Sequence, residues 1–418
     1  MKTLLLTLTM CVFVLPADAQ YSGGTGEPND PYQIATAIDL IALGETPKDY
    51  DKHFILTADI DLDPNLPGRK VFDRAVIASD GLGFSGVLDG NSHTISHLTI
   101  NGGMNVGMFG WLRDGAEVRG LGMVDIDITG DNHVGGLVGV NSGTVIQCYS
   151  TASVMGAYSV GGLVGFNYGG SIAMSHSSSM VSGTDYYVGG LVGYNDGSVA
   201  TSYSSGSVSG YEEVGGLVGV NGGTVLSSYA ACDVTGDSYV GGLVGSNGGY
   251  CSRGDCPCFT GTICDCYSTG GVTGGDYVAG LVGYNMGGVN RCYSAGAVTG
   301  ATTNISGLVV AGGECGYYMG PTYRVDYVNV CFWDVQVSGQ ATSDGGIGKN
   351  TAEMQTAGIF LETGWDFVGE TENGTDDIWK IAEGLGYPRL WWEKYSGGTG
   401  EPNDPCQIAT AADLTALG

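Results

Sequence analysis

The sequence predicts an all-β chain wound into a β-solenoid, and three observations predict it. The hexapeptide Val-Gly-Gly-Leu-Val-Gly, first intact at Val134–Gly139, returns at Val160, Val188, Val214 and Val240. It recurs in worn form at Val278 and Ile305. The lead residues, counted from Val106 to Ile305, are spaced 28, 26, 28, 26, 26, 38 and 27 residues apart, a period that signals stacked supersecondary units. Gly (76 of 418 residues), Ser, Thr and Val dominate, which suits strands and turns. Only 14% of residues are charged, at a net charge of −28, so phosphate-mediated binding to nucleic acid or an anionic membrane is not expected. The mean hydropathy is too high for a disordered chain.

In chain order, Lys2, the apolar run Leu4–Leu15 and Ala17-Asp18-Ala19 read as a secretory signal peptide over 1–19. Export permits disulfides. No later apolar segment is long enough to span a bilayer, so no membrane insertion is expected. Residues 20–100 read as an N-terminal cap with the first strands. Within them Thr36 caps a short helix through Leu43, with Asp39 at its third position and Gly44 as the stop. Phe54–Leu62 reads as a strand with solvent-facing acids. A calcium loop there would need Gly and Glu where Pro64 and Lys70 stand.

Residues 101–335 hold the repeats, the 38-residue spacing being a normal repeat with an insertion around Cys251–Cys264. The recurring positions are Gly136, Leu137, Gly139 and Asn141, then Gly162, Leu163, Gly165 and Asn167, then Gly190, Leu191, Gly193 and Asn195. They continue as Gly216, Leu217, Gly219 and Asn221, then Gly242, Leu243, Gly245 and Asn247, then Gly280, Leu281, Gly283 and Asn285. Val134 and Leu137 are three apart, so Gly135 and Gly136 are expected to bend the chain between them. Each Asn sits at a corner, where stacked side-chain amides can hydrogen-bond from rung to rung. A second strand follows, as in Thr144–Ser150. Its alternation predicts Ile146, Cys148 and Ser150 inward and Val145, Gln147 and Tyr149 outward.

Residues 336–394 leave the pattern. Thr351 is expected to cap a short helix, and aromatic residues concentrate into a C-terminal cap over the last rung. Tyr395–Gly418 then repeats Tyr21–Gly44 with three changes, at Tyr32/Cys406, Ile38/Ala412 and Ile41/Thr415. It reads as the start of a second, truncated module over 395–418, or as a tail for head-to-tail self-association.

The in-register Gly-Leu-Val-Gly repeats resemble the GLUG motif, over about Val106 to Val309. The resemblance implies a β-solenoid, a right-handed parallel β-helix, on secreted or cell-surface bacterial proteins, some of them IgA-specific metallopeptidases. It brings no catalytic residues to carry over. None of the five His residues (His53, His93, His97, His133, His176) stands in His-Glu-x-x-His spacing.

The outward slot of Tyr149 continues through His176, Tyr203, Tyr229, Tyr267, Tyr293 and Phe332. It forms either a stabilising cross-strand stack or a platform for sugar rings. The row Tyr158, Tyr187, Tyr239 and Tyr277 carries the same two readings. Asp131, Asp185, Asp237 and Asp276 occupy turns; turn chemistry explains them, with calcium between rungs as the alternative. Cys148, Cys266, Cys292 and Cys331 read as small buried fillers. Cys251, Cys256, Cys258 and Cys264 form a disulfide-prone loop around Arg253-Gly254-Asp255. With almost no Lys or Arg in the repeats, the acid-plus-base sites of polysaccharide lyases are not expected. The resulting expectation is a structural or adhesive surface protein without catalytic activity or cofactor. Its expected partner is extracellular polysaccharide or another cell surface. The alternatives are carbohydrate binding through the aromatic stripe and, behind it, a polysaccharide-cleaving enzyme.

Overall fold

The computed structural model describes residues 21–79, 81–248, 261–302, 304–311 and 328–393. The signal segment, most of the Cys251–Cys264 insertion and the repeated tail 395–418 lie outside them. The chain is a parallel β-solenoid. A typical rung contributes four strands, as in Asn132–Gly135, Val138–Asn141, Thr144–Ile146 and Tyr149–Gly156. Each pairs in parallel with its counterpart one repeat later, for example Val134 with Val160, Val138 with Val164, Val145 with Ile172 and Tyr149 with His176. The stacking builds two eight-stranded sheets, one of eleven strands and one of fourteen.

The winding begins earlier than the repeats do. Tyr32–Ile34 already pairs with His53–Leu56, which pairs with Val87–Asp89 and so enters the eleven-stranded sheet. Ahead of it, helix Ala37–Gly44 carries the expected Thr36–Asp39 capping box and buries Leu40 and Leu43. This covers the open first rung, whose backbone and core would otherwise face water.

The core is narrow. Val134, Leu137, Val138, Val145 and Ser150 are fully buried, and Cys148 nearly so. This corrects the expected facing of the second strand: Val145 points in, while Ile146 is half-buried and Gln147 exposed. The reason is Gln147, which takes a left-handed backbone (φ 54°), as do Met174, Thr201, Ser227, Asp265 and Arg291 at the same point of later rungs. A left-handed residue at this point of each rung breaks strict alternation and swaps the faces on either side of it.

The glycines of Val-Gly-Gly-Leu-Val-Gly also act differently from expectation. Neither Gly135 nor Gly136 has positive φ; the left-handed residue is the one before the motif, His133 in this rung. A Cβ on Gly135 would lie 2.3 Å from the Val138 carbonyl oxygen, and one on Gly136 would lie 2.4 Å from that of Gly162. The glycines are therefore needed for close backbone approach, within the rung at Gly135 and between rungs at Gly136, not for torsional freedom.

The corner asparagines form a continuous ladder. Asn141 Nδ2 donates to Asn167 Oδ1 (2.8 Å), and the series runs through Asn195 (2.7 Å), Asn221 (2.8 Å), Asn247 (2.9 Å) and Asn285 (2.9 Å). The first five are fully buried. A buried amide without such partners would cost about 1–3 kcal/mol.

After Phe332–Asp334 and its partner Ile347–Lys349, the chain turns back. Asn350, not Thr351, caps the helix Thr351–Met354, with Glu353 closing the capping box. Helix Ala357–Leu361 and the antiparallel pair Trp379–Lys380 and Arg389–Leu390 follow. This segment packs along the flank of the fourteen-stranded sheet, over several rungs, as well as past its last one.

Candidate functional site: an aromatic and acidic face

The aromatic stripe is real as a stack and closed as a surface. Tyr149, His176, Tyr203, Tyr229, Tyr267 and Tyr293 lie ring over ring, 4.6–5.1 Å apart and within 6° of parallel. The C-terminal segment covers its later rungs. Trp392 stacks on Tyr203 and Tyr229, Trp379 packs on Tyr267 and Tyr293, and Phe360 and Trp365 meet Phe332. Tyr267 Oη donates to Glu393 Oε2 (2.8 Å), and Tyr293 Oη donates to the Pro388 carbonyl (2.6 Å). Exposure of Tyr149, Tyr203, Tyr229, Tyr267 and Tyr293 is 8, 7, 5, 5 and 1%, too little for a sugar ring to stack on any of them. The expectation that these five form an outward glycan platform is thereby corrected. The outward face of the strand is apolar because it is the inner face of a second core.

The open aromatic surface lies elsewhere, on the two eight-stranded sheets. Trp111, Val140, Phe166, Tyr194 and Val220 occupy one slot on successive rungs, the position between Gly-Leu-Val-Gly and the corner Asn. Tyr168, 58% exposed, sits just past the corner. Beside this column run the left-handed residues His133, Ser159, Tyr187, Glu213, Tyr239 and Tyr277, which include most of the second row read from the sequence. The rings touch in series: His133 with Phe166 (5.3 Å), Phe166 with Tyr168 (5.6 Å) and Tyr194 (5.1 Å), Tyr194 with Tyr187 (5.4 Å), and Tyr187 with Tyr158 (4.6 Å). Tyr186 and Tyr211 extend the series by edge contacts at 6.0 and 6.4 Å. Most interplanar angles are tilted or edge-on, the geometry ring quadrupoles favour, and most of these rings stay partly exposed.

Acids are interleaved with the rings. Glu213 replaces a ring in the left-handed column, between Tyr187 and Tyr239 of the neighbouring rungs, and is 4% exposed. Burial, then the charge of Glu212, pushes its carboxyl up to about 8. Glu212 is raised by burial and then by Asp237 and Asp185, and Asp196 is raised by burial. Burial and then a hydrogen bond with Tyr158 push the Tyr187 phenol up, and burial followed by the charges of Asp196 and Glu213 raises Tyr194. The face therefore disfavours added negative charge.

Trp111, Arg113, Asp114, Ser142, Tyr168 and Gly169 line a surface notch of about 510 Å³ at one end of this face. It exists because Val140 and Ser142 are smaller than the residues one rung to either side. The Arg113 guanidinium lies 4.9 Å from the Trp111 ring, and Trp111 Nε1 donates to Ser142 Oγ (3.4 Å). Sequence reading missed Trp111, Phe166, Tyr168 and Tyr194. The available signal was the variable, repeatedly aromatic residue before each corner Asn; strict alternation would have placed it on the same face as the buried Val138.

The remaining sequence candidates take structural places. Asp276 Oδ1 accepts from Thr302, Asn304 and the Tyr277 amide, as turn chemistry requires. Among the described residues no three His, Cys, Asp or Glu side chains converge as a cation site. Cys266, Cys292 and Cys331 are buried in one inward slot, each accepting from or donating an amide to its neighbour (3.4 and 3.3 Å). Cys264 is a free thiol against Arg291 and Asp265, while Cys251, Cys256 and Cys258 lie outside the described residues.

Comparison with known proteins matches the family model "The GLUG motif" at residues 156–182 and 184–209. Halomucin of Haloquadratum walsbyi is 33% identical over 140 residues, covering 32% of this chain and 2% of that protein. A candidate Gly-rich membrane protein of Evansella cellulosilytica is 33% identical over 138 residues, covering 30% and 15%. The match thus spans a small part of both relatives. Among solved structures, a candidate immunoglobulin A1 protease from Bacteroides ovatus aligns at a TM-score of 0.45 and 17% identity, over 89% of this chain and 96% of that one. An IgA1 protease aligns at 0.42 and 17%, over 79% and 24%. Two of the in-register rungs therefore carry the GLUG motif, and the neighbouring rungs repeat its pattern.

Proposed function

We propose that this solenoid is an exported, non-catalytic adhesive element that holds a cell surface or its matrix to extracellular polysaccharide. One observation carries the reading. The solenoid presents a run of touching, partly exposed rings across several rungs. Contiguous exposed aromatic surface marks interaction sites. The names of the two relatives, a mucin and a membrane protein, support a place at the cell surface. A second reading, polysaccharide cleavage, is favoured only by Glu213, whose carboxyl stays largely protonated at neutral pH as a general acid must. Its near-complete burial under the neighbouring rungs weighs against it. Incubating the purified chain with insoluble wall polysaccharide separates the two. Retention without release of reducing ends is expected. Absence of retention, or release of reducing ends abolished by Glu213→Gln, would overturn the proposal.

A further inference from the structure

We propose that the notch between Trp111 and Tyr168 binds a segment of an uncharged polysaccharide chain. The inference rests on the adhesive reading and assigns it a site. Trp111 and Tyr168 stand on rungs separated by one intervening rung, that of Val140 and Ser142. At the strand spacing of about 4.8 Å, that places the two rings about 10 Å apart along the rod axis. This span suits an extended β-linked glycan in which two sugar rings separated by one intervening ring meet the two aromatic side chains. The notch volume falls within the range of small-molecule sites, and its lining sets two aromatic rings beside Arg113, Asp114 and Ser142. Those groups are chosen for hydroxyls. Ser142 accepts from the Trp111 indole, the Asp114 carboxylate can accept, and the Arg113 guanidinium can donate.

Arg113 is fixed for this role. Its guanidinium is stacked on Trp111, and Nη2 donates to the Gly81 carbonyl (3.4 Å), which leaves further N–H groups for a ligand. A pyranose presents an apolar C–H face and equatorial hydroxyls, which correspond to the aromatic rings and the polar side chains respectively. Charge selects against polyanions. One arginine stands beside Asp114, on a chain of net charge −28. Uronate polymers, sulfated glycans and nucleic acids are repelled, whereas neutral glucans and mannans are not.

The experiment is affinity electrophoresis of the full chain in gels containing hydroxyethyl cellulose, galactomannan or polygalacturonate. Retardation is expected in at least one neutral gel and none in polygalacturonate. Tyr168→Ala, at an exposed position, should weaken binding about tenfold without unfolding the chain. Trp111→Ala should do the same and Trp111→Phe should restore most of it, while Met180→Ala, on another sheet, should behave as wild type. Equal mobility of wild type and Tyr168→Ala in every neutral gel, or retardation by polygalacturonate alone, overturns the site. If the Tyr168→Ala protein is still retained on insoluble wall polysaccharide like wild type, the notch assignment fails and the adhesive reading stands. If wild type is not retained, both fail.

Discussion

Glu213 occupies a slot that other rungs fill with His, Ser or Tyr, and its carboxyl is the one most displaced from ordinary chemistry on this face. Its folded-state value of about 8 lies above the ordinary 4.5. An acid displaced upward costs nothing below its unfolded value, where both states are protonated. The penalty grows as pH rises from about 4.5 and is complete above about 8. Glu213→Gln is therefore expected to leave stability nearly unchanged at pH 4 and to raise it by up to about 5 kcal/mol at pH 9, the limit set by 1.36 kcal/mol per unit. Urea unfolding of both proteins at the two pH values checks this. An equal difference at both would mean that the side chain is hydrated in the folded state. The same residue shows what period-2 patterning could not reveal: a left-handed backbone at position 213 turns a nominally outward acid under its neighbours.

The asparagine ladder is an element in which each rung completes the next. Asn195 accepts from Asn167 and donates to Asn221, whereas Asn285 only ends the series by accepting from Asn247. Asn195→Ala should leave an unmet donor on one side and an unmet acceptor on the other, at about 1–3 kcal/mol for each buried group. Asn285→Ala removes one ladder bond where Asn195→Ala removes two, at a position 8% exposed. Thermal melts should therefore place Asn195→Ala clearly below Asn285→Ala, and equal melting temperatures would show that the ladder contributes geometry without stability. The ladder was legible in the sequence because a polar residue kept at one corner of every rung needs an internal partner. The role of Gly135 and Gly136 was not, since their requirement arises from the backbone folded against them, within the rung at Gly135 and from the neighbouring rung at Gly136.

At the scale of the whole molecule, the solenoid contacts itself only rung to rung, while residues 347–393 bridge several rungs at once. Two cores result, one inside the rod and one between the tyrosine stack and the C-terminal segment. Trp379 is fully buried in the second, against Tyr267, Tyr293 and Trp365. Trp379→Ala should cost about 3–5 kcal/mol. In a quasi-one-dimensional architecture that loss should stay local. Hydrogen exchange is expected to lose protection over 351–393 and the rungs of Tyr229 to Phe332, with Val106–Asn167 unchanged. Uniform loss along the rod would show that the C-terminal segment holds the entire solenoid together.

By itself the sequence determined the rung. A 26–28-residue period, a fixed corner Asn and small inward side chains admit one solution, because no single repeat can bury its own core. The N-terminal capping box was equally local, set by Thr36 and Asp39 three residues apart. Only the tertiary structure decided which outward surface remains outward. Tyr203–Tyr293 and Trp111–Tyr194 are both columns at one slot of successive rungs, the first all rings and the second rings interrupted by Val140. One is sealed because residues some 60–190 positions further along the chain fold back over it, and the other stays open beside a notch. Such burial depends on contacts distant in sequence, which neither periodicity nor residue type encodes.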